Sequence, residues 1–310
     1  SPEGALLPQQ ITEFTNSAIM CGMASVNFAE NPEKEFVGYF GACSTYGSFS
    51  YLKYGPMRLF SQLAQDSQLK VGKVLWIAGH SGPETAEDSR THFGIYAPGV
   101  TDLFPRGHVV DLHPFDHNEV PVLLCAAMNA PPAIIALHLT RPNVDTPDRK
   151  ALGCADYPDA AKGAYVMKGW DDSKRKRAGT VIFRGTSPIK AAFELLKDHR
   201  DELRNVRFVA APSRYLFEHQ PQSYRDQVLS WNDWQDSMCV TNNARRSMCD
   251  WYANKVCEDY TLSPDYDDKW RTGGSVDEIL DESRLTWPWV LKGIKKFADE
   301  HDARMKRVRG

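Results

Sequence analysis

A chain of 310 residues, 42% hydrophobic and 25% charged, has enough apolar material for a sizeable core and for two domains of ordinary size. Its formal net charge of -3 gives no global attraction to nucleic acid or to an anionic membrane surface, and no apolar run approaches the roughly 20 residues that span a bilayer. Neither nucleic acid nor membrane is therefore an expected partner.

In chain order, Thr12 and Glu13 precede apolar residues at helical spacing, Ala18, Ile19, Gly22, Met23 and Val26. Thr12 is the expected cap, and the glutamate sits near the helix start. Phe36 to Phe40 reads as a short strand, Tyr51 to Gln65 as a helix, and Val74 to Ala78 as a buried strand of continuous apolar character. A Gly/Pro/polar loop follows from Gly79 to about Pro98. Two further strands, His108 to Leu112 and Ala133 to Leu139, flank a helix from about Asp116 to Met128. Strand and helix in alternation predict a parallel sheet with helices on its faces.

Beyond Arg141 the composition turns polar and Pro/Asp-rich, which places a linker there and a boundary near residue 145. A second alternating series runs through strands Ala164 to Met167 and Thr180 to Phe183, a helix Pro188 to His199, a strand Val206 to Ala210 and helices within Arg214 to Leu229. Met238 to Thr241 follows as a strand, Arg245 to Cys257 as a helix, and Trp287 to about Asp302 as a last amphipathic helix before a basic RMKRVRG tail. The fold class is thus α/β, in two three-layer domains with mainly parallel sheets, residues 1–145 and 146–310. The basic run Lys174 to Arg177, beside Asp171 and Asp172, reads as a solvated turn.

Seven scattered cysteines without a CxxC pair predict neither a disulfide framework nor a zinc site, and SPEGALLPQQ carries no signal-like apolar region. A reducing, cytoplasmic setting is expected. His108, His113 and His117 read as structural or surface histidines, since no acidic or cysteine ligand set accompanies them along the chain.

Ligands of parallel sheets gather at loops outside the carboxyl ends of strands. The loop GHSGPETAEDSRTHFG after Val74 to Ala78 packs His80, Glu84, Glu87, Asp88, Arg90 and His92 closely together. Such a density of titratable groups suits polar substrate binding and proton transfer. This loop, with His80, Glu87-Asp88 and Thr91-His92, resembles the corresponding segment of transketolases. Further stretches agree in family order: ITEFTNSAIMCGMA is similar to the helix start bearing the family's catalytic glutamate, and LTRPNVDTPDR to the segment with its phosphate-binding arginine. AAKGAYVMKG resembles the entry to its C-terminal domain, and FVAAPSRYLFEHQPQSYRDQVL a strand-Pro-Ser motif with the Tyr-Arg that follows.

The resemblance implies a pyrimidine-binding domain of thiamine-diphosphate enzymes followed by a transketolase C-terminal-like domain. It implies Glu13 as the carboxylate that hydrogen-bonds the cofactor's aminopyrimidine, and Tyr46 and Phe49 as rings stacked on it, with Tyr39 less favoured. Leu52 stands where a further aromatic is expected, unless Tyr51 or Tyr54 fills in. His80 and Arg141 would hold a sugar phosphate, Asp88 would accept from a sugar hydroxyl, and His92 would contact the ketose near its carbonyl; His80 and His92 join Glu13 as catalytic candidates. Ser89-Arg90 replaces the family's usual Gly-Pro and brings a new positive charge to this channel.

The family's metal-diphosphate motif, Gly-Asp-Gly followed by Asn, is absent from the sequence. The resemblance therefore implies that thiamine diphosphate and its divalent metal (Mg or Ca) are held by an N-terminal transketolase-like partner segment, in a dimer of halves or, if split, a heterotetramer. No metal ligand is assigned to this chain. The first strand and helix of the pyrimidine-type domain are also expected to be missing, as in a separately encoded subunit or a piece of a longer chain. Competing readings are the beta subunit of a 2-oxo acid dehydrogenase, deoxyxylulose phosphate synthase, and a non-catalytic transketolase-like subunit or fragment.

Overall fold

The computed structural model describes residues 10–79, 81–173, 176–271 and 273–309. Helix α1 (Glu13–Ala24) begins at the expected place, but Thr12 does not cap it; its hydroxyl donates to the Gln10 carbonyl. The strand expected at Phe36 to Phe40 is not formed. Gly38 makes a single bridge to Asn27, whose side-chain amide donates to the Pro32, Glu35 and Lys70 carbonyls and so ties this stretch into a loop. The strand lies one step later, β1 (Gly41–Tyr46), in small and polar residues.

A 3-10 turn over Gly47–Lys53 leads to α2 (Tyr54–Asp66), so the helix expected from Tyr51 starts later. Pro56 explains this, because it has no N–H to give the Leu52 carbonyl and is tolerated only in a first turn. The central strand β2 (Val74–Gly79) follows, then β3 (Val109–Leu112), α3 (Glu119–Asn129) and β4 (Ile134–His138). The sheet has the order β1-β2-β4-β3 with every pairing parallel. All five residues of β4 are buried, as a strand covered on both faces requires.

The second sheet is built from β5 (Tyr165–Lys168), β6 (Thr180–Arg184), β7 (Arg207–Ala210) and β8 (Ser237–Thr241), in the order β5-β7-β6-β8. Only β5 runs antiparallel to its neighbour. Its helices are α4 (Thr186–Asp198), the short α5 (Arg214–Glu218), α6 (Gln222–Val228) and α7 (Trp231–Gln235), then α8 (Lys255–Tyr260) and α9 (Val276–Glu282). The helix expected from Arg245 to Cys257 is divided: Arg245–Trp251 is a 3-10 turn, and Asn254 restarts the chain by capping α8 through the Cys257 N–H.

Helix α10 (Trp287–Asp299) carries the amphipathic pattern, but the basic tail is not an unstructured end. It forms α11 (His301–Arg309), pinned by Arg304, which is buried over the Phe297 ring at 3.5 Å and donates to Asp236, to the Phe297 carbonyl and to the Ala178 carbonyl. Of the basic run, Lys174 and Arg175 lie outside the described residues, while Lys176 pairs with Asp302 and Arg177 with Asp172.

One apolar cluster unites the two sheets: Val110, Leu112, Ile135 and Leu137 belong to it together with Val181, Phe183, Phe208 and Val240. Burying a side chain such as Leu137 fully stabilises by about 1.5–3 kcal/mol, so this shared core holds the sheets together. Arg149, in the segment between them, is 5% exposed and donates to Asp116, Glu119 and the Tyr165 hydroxyl.

Candidate functional site

The candidate residues collect where α1 starts and where β1 and β2 end, the carboxyl edge of the first parallel sheet. Glu13 is the first residue of α1, where the helix dipole favours a carboxylate, and its Oε1 accepts from Thr45 Oγ1 at 3.1 Å. Tyr46 follows Thr45 and is 38% exposed. Its ring meets Phe49 edge-on at 6.1 Å and His92 at 4.6 Å, and Phe49 lies 5.7 Å from His92. A half-exposed carboxylate and a group of partly open rings thus stand side by side, which suits a flat heteroaromatic ring with a nitrogen that exchanges a proton.

The loop after β2 is held in two ways. His92 Nδ1 lies 2.7 Å from Ser89 Oγ, and its carbonyl accepts from the Thr85 hydroxyl. Glu84, fully buried, accepts from the Ser187 hydroxyl at the start of α4 and, at 3.5 Å, from Asn242 after β8. Glycine is needed opposite both: Gly82 (φ +99) and Gly185 (φ +96) take a backbone conformation that other residues resist, and a Cβ on either would collide with Glu84 or Asn242.

Burial pushes the Glu84 carboxyl up, against the lowering effect of its Ser187 and Asn242 hydrogen bonds. A folded-state pKa above the unfolded value of 4.5 means that the folded chain binds this proton more tightly, so its stabilising contribution is lost as pH rises from there through the folded pKa. Glu84→Gln is therefore expected to gain stability relative to wild type as pH is raised from 4 to 8. Denaturant midpoints across that range, parallel for the two proteins, would refute it.

Arg141 forms an ion pair with Asp88 and a longer one, 3.4 Å, with Glu87. The structure thus brings together two residues expected to bind separate parts of a substrate. His80 lies outside the described residues. Leu52 is 39% exposed, and neither offered replacement joins the ring group: Tyr54 donates to the Leu103 carbonyl and packs on Phe104, while Tyr51 faces a neighbouring cavity. Tyr39 packs on Phe28 instead.

Two features escaped the sequence reading. Lys53, within the helix expected from Tyr51, is fully buried at the end of the 3-10 turn that carries Phe49. Burial lowers its pKa, while Cys43 and, more weakly, Glu13 oppose this. The second is a constellation around Asp111 on β3, which corrects the expectation that no acidic group accompanies the histidines. Asp111 accepts from His113 Nε2 and His138 Nε2, each at 2.7 Å, and His138 Nδ1 lies 3.3 Å from Ser81 Oγ. His108 instead meets Ser61 Oγ at 2.8 Å.

Asp111, His113 and His138 hold their ligand atoms close enough to suggest a metal. The ring geometry argues otherwise. The two imidazoles are stacked 4.4 Å apart and only 8° from parallel, and a nitrogen lone pair lies in its ring plane, so one ion cannot sit on both axes. A carboxylate, with two oxygens, can receive both N–H groups. Burial pushes the His113 imidazole down to about 3 despite the opposing Asp111 charge. Burial alone would raise the Asp111 carboxyl, but the two histidines outweigh it and hold it well below its ordinary range.

No family model matches the chain. A transketolase of Staphylococcus epidermidis is 26% identical over 230 residues, which is 74% of this chain and 31% of that protein. A Pichia stipitis transketolase solved in complex with sedoheptulose-7-phosphate matches in fold with a TM-score of 0.63 at 19% identity, over 86% of this chain and 34% of that one. A split-gene transketolase, solved as an inactive beta4 tetramer, matches at 0.59 and 16% identity, over 94% of this chain and 83% of its own. The chain spans about a third of the length of the curated relatives it matches. In sequence over 74% of its length, and in an α/β fold shared with solved transketolases, this chain resembles the transketolase family.

Proposed function

We propose that this chain supplies the pyrimidine-facing part of a thiamine-diphosphate-dependent transferase that moves a two-carbon ketol unit from a ketose phosphate to an aldose phosphate. The observation that carries the reading is Glu13 beside Thr45, next to the Tyr46, Phe49 and His92 rings. Bound between the two segments, the cofactor supplies the carbanion chemistry. Glu13 holds and returns a proton at the pyrimidine nitrogen, and Tyr46 and Phe49 pack against the ring.

His92, oriented by Ser89, faces the ketose carbonyl, and Asp88 accepts from a sugar hydroxyl. In the family resemblance the phosphate end falls to His80 and Arg141. The complex of the Pichia stipitis relative with a ketose phosphate supports this substrate class.

The diphosphate and a Mg or Ca ion fall to an N-terminal transketolase-like partner segment. Exposed large apolar side chains support such a partner: among the described residues all but Met128, Trp231 and Trp270 lie between Ile11 and Leu103, on the elements around Glu13. Such a concentration of exposed apolar side chains in one part of the chain favours an interaction surface there. The split-gene relative, inactive as a beta4 tetramer, supports a chain that needs this second segment for activity. A cytoplasmic location follows from the same reading; no described helix is long and apolar enough to cross a membrane.

Copurification from the native source, followed by a ketol-transfer assay, tests the proposal. Turnover is expected only when the chain, a Gly-Asp-Gly-bearing segment, thiamine diphosphate and a divalent metal are all present. Full turnover without the cofactor would overturn it.

A further inference from the structure

Resting on the reading above, we infer that the anionic end of the substrate is received at Arg90, in the apolar cavity beside Phe49, and not at Arg141. The two arginines differ in what they already hold. Arg141 already pairs with two carboxylates, Asp88 and Glu87. An incoming phosphate would have to displace those partners and would meet their repulsion.

Arg90 has no carboxylate partner: among the described residues no ion pair or side-chain hydrogen bond engages its guanidinium, and the residue is exposed. It lines a cavity of about 680 Å³ whose other walls include Phe49, Tyr51, Phe93, Tyr96 and Trp270. Among the described residues lining it, Arg90 is the one that carries a charge. A single cation at apolar walls attracts an anion more strongly than one in open solvent, because the low-dielectric surroundings screen it less. Its planar fork also matches the paired oxygens of a phosphate or carboxylate.

The geometry connects this cavity to the proposed reaction. Phe49 belongs both to the cavity wall and to the ring group with Tyr46 and His92, and Thr91 lines the cavity one residue before His92. A substrate whose carbonyl lies at His92 and whose far end enters this cavity would meet Arg90 on its wall. Its middle runs along aromatic surface, which favours a chain presenting C–H faces between the reacting carbonyl and a terminal oxyanion. Trp270 comes from the second half of the chain and packs edge-on with Phe93 and Tyr96, so that half contributes to specificity.

Two measurements test this, and the first needs no turnover. Phenylglyoxal modification of the chain, mapped by mass spectrometry, is expected to label Arg90 faster than Arg141. Millimolar inorganic phosphate, or an aldose phosphate, should slow labelling at Arg90 about tenfold, as a paired charge-assisted contact would. Equal labelling of Arg90 with and without either probe, or protection confined to Arg141, would overturn the inference whatever the enzyme's reaction proves to be.

The second measurement uses the assembled enzyme with three acceptors of one chain length: an aldose phosphate, the corresponding aldehyde acid and the neutral aldose. Arg90→Gln is expected to lower the kcat/KM ratio of the preferred anionic acceptor to the neutral one by about tenfold or more, mainly through KM. Preference for the phosphate or for the acid identifies which oxyanion is recognised. A ratio that collapses in Arg141→Gln and persists in Arg90→Gln would return the anion to Arg141. Absence of ketol transfer to every acceptor counts against the proposed reaction and leaves the labelling result to decide on Arg90.

Discussion

Glu13→Ala in the assembled enzyme is expected to lower cofactor-dependent turnover by about a hundred- to ten-thousandfold, the range that a positioned proton-transfer group supplies. The side chain is well placed to be removed without collateral damage. It is half-buried, at the first position of α1, and among the described residues its side chain accepts one hydrogen bond, from the Thr45 hydroxyl at 3.1 Å. Losing a carboxylate from a helix start costs about 0.3–1 kcal/mol, so the melting curve should barely move while activity falls.

Glu13→Gln separates proton exchange from shape. It keeps the length and the hydrogen bond to Thr45 but cannot take up and return a proton, so it should lose nearly as much activity as the alanine variant. Turnover within tenfold of wild type in either variant would remove Glu13 from the mechanism and favour a non-catalytic role for the chain.

Arg149→Met should produce the largest loss of stability, about 3–5 kcal/mol, measured by urea denaturation. The Arg149 guanidinium donates to Asp116 Oδ2 at 2.9 Å, to Glu119 Oε1 at 3.0 Å and to the Tyr165 hydroxyl at 3.0 Å. It also lies over the Phe115 and Phe193 rings. Glu119 is itself fully buried and receives the Tyr165 hydroxyl at 2.6 Å and the Phe115 N–H at 2.7 Å.

Methionine fills the space but leaves two buried carboxylates without their cation. Burial already raises the Glu119 carboxyl against the Arg149 charge, so removing that charge raises it further. The variant's deficit should therefore widen as pH rises, since a raised folded-state pKa favours the protonated form that low pH supplies. Adding Glu119→Gln to Arg149→Met should recover part of the loss. A single variant within 1 kcal/mol of wild type would show that the network does not bind the linker to the sheets.

The strands most legible along the chain were interior strands of the two sheets. Val74 to Ala78, Ala133 to Leu139 and Thr180 to Phe183 are continuous apolar runs, and β2, β4 and β6 form there within a residue or two. The edge strand β1 was misplaced to Phe36–Phe40 because Gly41–Tyr46 has no apolar run. It is a strand because β2 offers it a parallel partner in register, Gly41 to Val74 and Tyr46 to Gly79.

The sequence by itself determined the α/β alternation, the loop dense in titratable groups and the resemblance that singled out Glu13, Tyr46, Phe49, Asp88, His92 and Arg141, because these depend on residue type and local spacing. The tertiary structure alone decided which charges meet. Arg141 closes on Asp88 and Glu87 while Arg90 has no ion-pair partner among the described residues, Lys53 is buried, and strand pairing carries Asp111 to His138 across 27 residues of chain. Periodicity reports whether a face is apolar, but the partner of a charged group is set by long-range packing, and no local pattern encodes it.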